Sequence, residues 1–190
     1  MIELKYETPP AWAEGVVAAM ERFLPDHAAA EKKASSMAMT MVSHYPDRPD
    51  LVTAMIDLAI EELSHYRAVV KLMQDRGLRL LPDEKDPYVN QLRRSIRDGK
   101  DLYFMDRLLI AGIVEARGAE RFGLVADALP AGQLQRFYRS ITQSEEGHQA
   151  LFTDLANLYF DPSVTCMRLN ELLEIEAGIV EALPLRPALH

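Results

Sequence analysis

An all-α protein, built as a four-helix bundle with further helices at its N- and C-terminal ends, is predicted by three observations. Apolar residues recur at alternating steps of three and four along two long stretches. A Glu-x-x-His tetrad interrupts each of those stripes, Glu62-Leu63-Ser64-His65 in one and Glu145-Glu146-Gly147-His148 in the other. No segment carries a convincing period-two alternation that would mark a strand.

The elements follow in order from their start and stop signals. Pro9 and Pro10 open a short amphipathic helix over about 11–24, since proline suits a first helical turn whose N–H groups are unused. Pro25 and Asp26 begin a second helix, which carries Glu31 and ends near His44-Tyr45-Pro46. After the Pro46–Asp50 turn, the helix of the first tetrad runs to about Arg76, where Gly77 stops it. The longest irregular connection extends from Leu78 to about Tyr88, with Pro82 and Pro87, and leads into a short helix holding Arg93, Arg94 and Arg97.

Asp101 opens the helix of Glu115, which ends before Pro130, and the second tetrad's helix begins near Gly132. Asp161-Pro162 breaks it, and a last amphipathic helix spans about 163–183. In an antiparallel bundle, the long stretch between the second and third ligand helices is the natural crossover.

Two core stripes can be written out. The first is Leu51, Met55, Leu58, Glu62, His65, Val69, Leu72; the second is Leu134, Tyr138, Ile141, Glu145, His148, Phe152, Leu155. Residues three apart share a helix face, so each Glu and its His can reach one ion. An uncompensated buried carboxylate costs about several kcal/mol, and two ionisable residues at matching points of two apolar stripes therefore call for a cation.

Glu31 and Glu115 stand alone among small residues in the other two long helices: Ala28, Ala30, Ala34 and Ser35 around one, Ala111, Gly112, Gly118 and Ala119 around the other. Each precedes a tetrad by about thirty residues, so the chain repeats one unit, a helix with Glu followed by a helix with Glu-x-x-His. Such repetition is the ligand arrangement of ferritin-like di-metal bundles. The expected metal ligands are thus Glu31, Glu62, His65, Glu115, Glu145 and His148. Glu62 and Glu145 are expected to bridge, Glu31 and Glu115 to be terminal, and each His to cap one ion.

Four carboxylates balance two divalent ions, and mixed oxygen and imidazole donors suit iron or manganese. Two ferrous ions held together can share the reduction of O2. Asp57 and Glu61 are candidates to orient the ligand histidines, although Glu61 also fits an exposed helix face. His27, one turn before Glu31, fits surface or packing roles better than a place lining the site. Ser64, Tyr66, Tyr138 and Phe152 read as packing beside the ligands, with a tyrosine near metal open to oxidation.

The whole chain bounds the function further. Its 190 residues, 48% hydrophobic, suit one domain over 1–190 with a well-buried core. The absence of a long apolar run and of a signal-peptide pattern at Met1-Ile2-Glu3-Leu4-Lys5 predicts a cytoplasmic protein with no membrane partner. Cys166 is the only cysteine, which excludes an intrachain disulfide and a four-cysteine iron site. Electrons for oxygen chemistry must then come from an external reductase, an electron-transfer protein or a small reductant.

The net charge of −8 argues against a surface that coats nucleic acid generally. Between Arg67 and Arg107, however, ten basic residues face seven acidic ones. This stretch is either a solvated surface or a phosphate-docking patch, with Arg93, Arg94 and Arg97 as the candidate contacts.

Several phrases resemble one family. Glu31-Lys32-Lys33-Ala34-Ser35, Ser43-His44-Tyr45-Pro46, Leu58 to His65, Asp106 to Gly118 and Ser144-Glu145-Glu146-Gly147-His148 are similar to the tRNA 2-methylthio-N6-isopentenyladenosine hydroxylase family, MiaE. The resemblance covers about residues 26–160. It implies hydroxylation of the isopentenyl group on adenosine 37, beside the tRNA anticodon, with O2, two iron ions and two external electrons. It also carries Glu31, Glu62, His65, Glu115, Glu145 and His148 over as iron ligands.

Two other classes compete. A ferritin-like iron-oxidising or peroxide-scavenging protein would use the same six ligands without an organic substrate. As an iron store it would also need a shell of many subunits, whereas the hydroxylase is expected as a monomer or small oligomer. A purely structural helical bundle would have to satisfy six ionisable core residues by hydrogen bonding alone.

Overall fold

The computed structural model describes residues 2–190, and among them there are seven helices and no strand. The helices are α1 Pro10–Ala18, α2 Met20–His44, α3 Pro49–Gln74, α4 Pro87–Arg93, α5 Lys100–Ala128, α6 Gln133–Tyr159 and α7 Pro162–Ala182. The long irregular connection lies where the sequence places it, between α3 and α4.

Two boundaries differ from the sequence reading. The first helix breaks at Ala19 (φ −122°, ψ 36°) instead of at Pro25, which lies buried inside α2. Pro25 cannot donate a backbone hydrogen bond, but burial of Phe23, Leu24 and Pro25 together outweighs that single loss. The short helix α4 ends at Arg93, so Arg94 is its C-cap and Arg97 lies in the following turn. Gly99, at φ 101°, ends that turn in a conformation that a side chain would strain.

The chain forms two compact units. One comprises Ala18–Glu84 with Pro187–Leu189, and its body is the α2–α3 pair. The short connection 45–48 makes the pair antiparallel. Its register is fixed by Ser35 Oγ donating to the Ala59 carbonyl at 2.9 Å, with Glu31 meeting His65 further along. Leu51, Met55, Leu58, Glu62, Val69 and Leu72 are all buried, as the stripe requires.

The other unit comprises the chain up to Val17, Lys85–Arg186 and His190. Here α5 and α6 form the antiparallel pair, with α4 and α7 packed beside it. Phe122 stacks on Tyr138 with ring centroids 5.8 Å apart, and Gly112 lets the helices approach closely. A Cβ on Gly112 would sit 3.3 Å from Phe152 Cβ and 3.2 Å from Ile2 Cδ1.

A buried ionic cluster ties the surrounding segments to α5. Arg117, wholly buried, donates to Glu176 of α7 through Nε (2.8 Å) and Nη2 (3.0 Å), and to Glu120 through Nη1 (2.6 Å). Tyr88 of α4 donates its hydroxyl to Glu176 at 3.0 Å, and Thr8 donates to Glu120 at 2.7 Å. Arg121 lies over the Trp12 ring of α1, 5.0 Å from its centroid. Apart from Glu120, which shares α5 with Arg117, the partners come from other stretches of chain, namely Thr8, Trp12, Tyr88 and Glu176, so the cluster specifies how those segments dock.

Candidate metal centre

Each unit gathers three of the six expected ligands on its own helix pair. In the α2–α3 unit, Glu31, Glu62 and His65 each offer a ligand atom, and the three atoms lie within 4.8 Å of one another. Glu31 and Glu62 are buried, while His65 keeps 15% of its side chain exposed. His65 Nδ1 stands 3.5 Å from Glu31 Oε2 and 3.8 Å from Glu62 Oε2. The helical i, i+3 step sets the second distance, and the antiparallel register of α2 against α3 sets the first.

In the α5–α6 unit, Glu115, Glu145 and His148 do the same, again with ligand atoms within 4.8 Å of one another. All three are buried, and His148 Nδ1 lies 3.1 Å from Glu145 Oε2. The two halves therefore repeat one design, a lone Glu on one helix brought against Glu-x-x-His on the next.

The electrostatics of the cluster suit a cation. Burial would raise the Glu31 pKa, but His27 beside it, together with His65, holds the carboxyl well below the usual range. Burial would likewise keep His65 neutral, yet the neighbouring Glu31 and Glu62 outweigh it and push His65 up to about 9. A proton on His65 thus does part of what a metal ion would do between two carboxylates. Glu31 Oε2 is buried and accepts no hydrogen bond, although the other oxygen of the same carboxylate is engaged. An orphaned buried oxygen facing an imidazole nitrogen, with a second carboxylate alongside, fits a ferrous or manganous ion.

His27 is the residue that sequence reasoning undervalued. It is fully buried, and its Nε2 lies 2.5 Å from Glu31 Oε1. The only sequence signal was its i, i+4 spacing from Glu31, which surface helices show just as often. Of the two proposed orienting groups, Glu61 is exposed and 3.9 Å from His65 Nε2, beyond hydrogen-bond length, and Asp57 is exposed. Tyr138 is buried against Phe122 and packs, whereas Ser64 is exposed and donates to the Ile60 carbonyl of its own helix.

The three arginines are not equivalent. Arg93 and Arg94 are exposed. Arg97 instead grips the buried Asp106, through Nε at 3.0 Å, Nη2 at 2.7 Å and its backbone N–H at 2.9 Å. Its charge is therefore shared with a carboxylate, a distinction that residue type alone does not reveal.

No described helix is long and apolar enough to cross a membrane. The chain is similar to three known proteins and matches one family model. A solved structure described as "Protein 43 with aldehyde deformylating oxygenase activity from Synechococcus" superposes with a TM-score of 0.92 at 34% identity, over 97% of this chain and 92% of that one. That likeness makes the fold class ferritin-like as well as all-α.

A Pseudomonas putida protein named tRNA 2-(methylsulfanyl)-N(6)-isopentenyladenosine(37) hydroxylase is 36% identical over 89% of this chain and 83% of its own. A Salmonella typhimurium protein of the same name is 30% identical over 82% of this chain, which spans 57% of that relative's length. The family model described as tRNA-(MS[2]IO[6]A)-hydroxylase (MiaE) matches residues 2–190, and the chain belongs to that family.

Proposed function

We propose that the protein is an O2-dependent di-iron monooxygenase that hydroxylates the isopentenyl group of 2-methylthio-N6-isopentenyladenosine at position 37 of tRNA. The observation that carries it is the pair of Glu, Glu, His triads, with Glu31 Oε2 buried and unbonded, in a chain of the hydroxylase family. The proposed iron ligands are Glu31, Glu62 and His65 from one unit and Glu115, Glu145 and His148 from the other. The two units then work as one functional domain over 1–190.

A pair of iron ions, when bound, supplies the oxidising power that an unactivated C–H bond requires from O2. The protein's own residues hold and tune that site. Glu31 and Glu115 would each hold one ion as terminal carboxylates, Glu62 and Glu145 would be shared between the two, and His65 and His148 would each hold one. His27 keeps Glu31 Oε1 engaged, so that Oε2 is the oxygen turned toward His65. The four carboxylates balance two divalent charges, which lets the loaded site be buried at low electrostatic cost.

The remaining assignments follow from this chemistry. The substrate is the anticodon loop of tRNA, with adenosine 37 splayed out of its stack, and Arg93 and Arg94 hold backbone phosphates. Arg97 contributes its partly neutralised charge to the same edge. Lacking any cysteine but Cys166, the chain takes its electrons from a separate reductase or electron-transfer protein. The protein works in the cytoplasm, where tRNA is modified, as a monomer or small oligomer.

Mass spectrometry of position-37 nucleosides from cells lacking the gene tests the reading. The unhydroxylated methylthio-isopentenyl nucleoside should accumulate, and restoring the gene should return the hydroxylated form. An unchanged nucleoside profile would overturn the proposal. Purified protein that instead deformylates an aldehyde would point to the chemistry named for the Synechococcus structure.

A further inference from the structure

We propose that the first turns of α5 and the turn preceding them form a platform for single-stranded RNA. In it Tyr103, backed by Arg107, stacks an unpaired base, while Arg93, Arg94 and Lys100 hold the neighbouring phosphates. The inference rests on the tRNA reading above and names the surface that reading requires.

The platform is held in place by the buried Asp106. Besides its three bonds from Arg97, Asp106 accepts from Arg168 of α7 through Nε at 3.0 Å and Nη2 at 2.9 Å. The same Nη2 donates to the Ser95 carbonyl at 2.7 Å. Two guanidinium groups and one backbone N–H thus converge on one carboxylate, fixing the turn that follows Arg93 and Arg94. A fixed turn presents its two exposed arginines without the entropy loss that a mobile loop would incur on binding.

Charge and shape agree on the occupant. From Arg93 to Arg107 there are five basic residues, Arg93, Arg94, Arg97, Lys100 and Arg107, against Asp98, Asp101 and Asp106, in a chain of net charge −8. Of those acids, Asp106 is buried and already paired with two arginines. Tyr103 is 38% exposed, and Arg107 Cζ lies 5.9 Å from its ring centroid. An exposed aromatic ring with a guanidinium against it suits the face of a splayed base, and the flanking cations suit the adjoining phosphates.

Distance agrees as well. Tyr103 and Glu115 sit on the same helix, separated by about 18 Å along its axis at 1.5 Å per residue. That span equals about five stacked nucleotides, so one stem-loop is long enough to place a base on Tyr103 and the reacting base near Glu115.

The test is fluorescence anisotropy of a labelled anticodon stem-loop, read against salt, with steady-state hydroxylation of the same RNA by the iron-loaded enzyme. Tyr103→Ala should weaken binding about tenfold, whereas Tyr103→Phe, which keeps the ring, should stay within about twofold of the wild type. The double variant Arg93→Glu, Arg94→Glu should reduce the slope of log affinity against log salt by about 1.4. Thermal melting and iron content check that each variant is folded; should Tyr103→Ala melt early, Tyr103→Leu is measured in its place.

Wild-type affinity and salt dependence in these variants, with the wild type active on the RNA, would overturn the platform alone. So would an equal loss on a fully paired duplex of the same length, because charge without stacking would then explain binding. A wild type that neither binds nor hydroxylates the stem-loop would overturn the tRNA reading, and the platform with it.

Discussion

His27 and Glu31, one turn apart on α2, are joined by a 2.5 Å hydrogen bond between Nε2 and Oε1, with both side chains buried. The bond occupies one carboxylate oxygen and leaves the other, Oε2, 3.5 Å from His65 Nδ1. As the proposed ligand, a carboxylate fixed in this way would offer a single oxygen to a metal ion. Its rotation is restrained in advance, so less entropy would be lost on binding.

Replacing His27 with Ala should therefore weaken ferrous-ion binding by about tenfold to a hundredfold, and His27→Gln should recover part of that loss. Anaerobic titration of metal-free protein measures both. Unchanged affinity in His27→Ala would reduce His27 to a packing residue.

Removal of a carboxylate proposed to be shared by the two ions should be more severe. Glu62→Ala or Glu145→Ala should lower the iron content from about two per chain to one or fewer, as elemental analysis of untagged protein would report. Two irons retained in either variant would sink the six-ligand assignment.

Metal removal should also cost stability, because it leaves the charges of each triad without their counter-ion. Ferrous or manganous ion at about a hundred times its Kd should raise stability by about 2.7 kcal/mol, seen as a higher melting temperature under anaerobic conditions. A melting curve indifferent to metal would favour the purely structural bundle.

Asp86 gives a pH-dependent prediction away from the metal. Its Oδ1 caps α4 by accepting from the Tyr88 and Val89 N–H groups, and its Oδ2 lies 3.0 Å from His190 Nδ1. Burial would raise its pKa, but His190 and the two backbone bonds outweigh this and bring it from 3.8 down to about 2. A depressed folded-state pKa means the contribution is complete above the unfolded value near 4 and disappears as pH falls through about 2. Asp86→Asn should thus cost about 2 kcal/mol at neutral pH, and the difference from wild type should shrink across pH 4 to 2 in denaturant melts. A difference that stays constant through that window would show the cap to be indifferent to charge.

The Arg117–Glu176 pair is wholly buried on both sides. Losing one partner strands the other charge, so Arg117→Met should destabilise by about 3–5 kcal/mol in chemical denaturation. Adding Glu176→Leu should recover much of that. If the double variant is as unstable as the single, the cost lies in packing and not in the uncompensated charge.

The fold class was legible because two long stripes of alternating spacing have few other solutions. The structure keeps Leu51, Met55, Leu58, Glu62, Val69 and Leu72 buried on α3, and Tyr138, Ile141, Glu145, His148, Phe152 and Leu155 on α6. Boundaries that depend on a balance of small terms were less legible. The break at Ala19 and the burial of Pro25 turn on packing by Phe23 and Leu24, which no propensity encodes.

By itself, the sequence determined an all-helical chain, the two Glu-x-x-His stripes and the lone glutamates that precede them. Those features are local, set by helical periodicity and by the cost of burying charge. Tertiary structure alone decided which polar side chains find each other across elements. It buried His27 against Glu31, committed Arg97 to Asp106 beside Arg168, and closed Arg117 on Glu176. Such pairings depend on where distant segments dock and which groups lose their water, and neither quantity is carried by residue spacing along one helix.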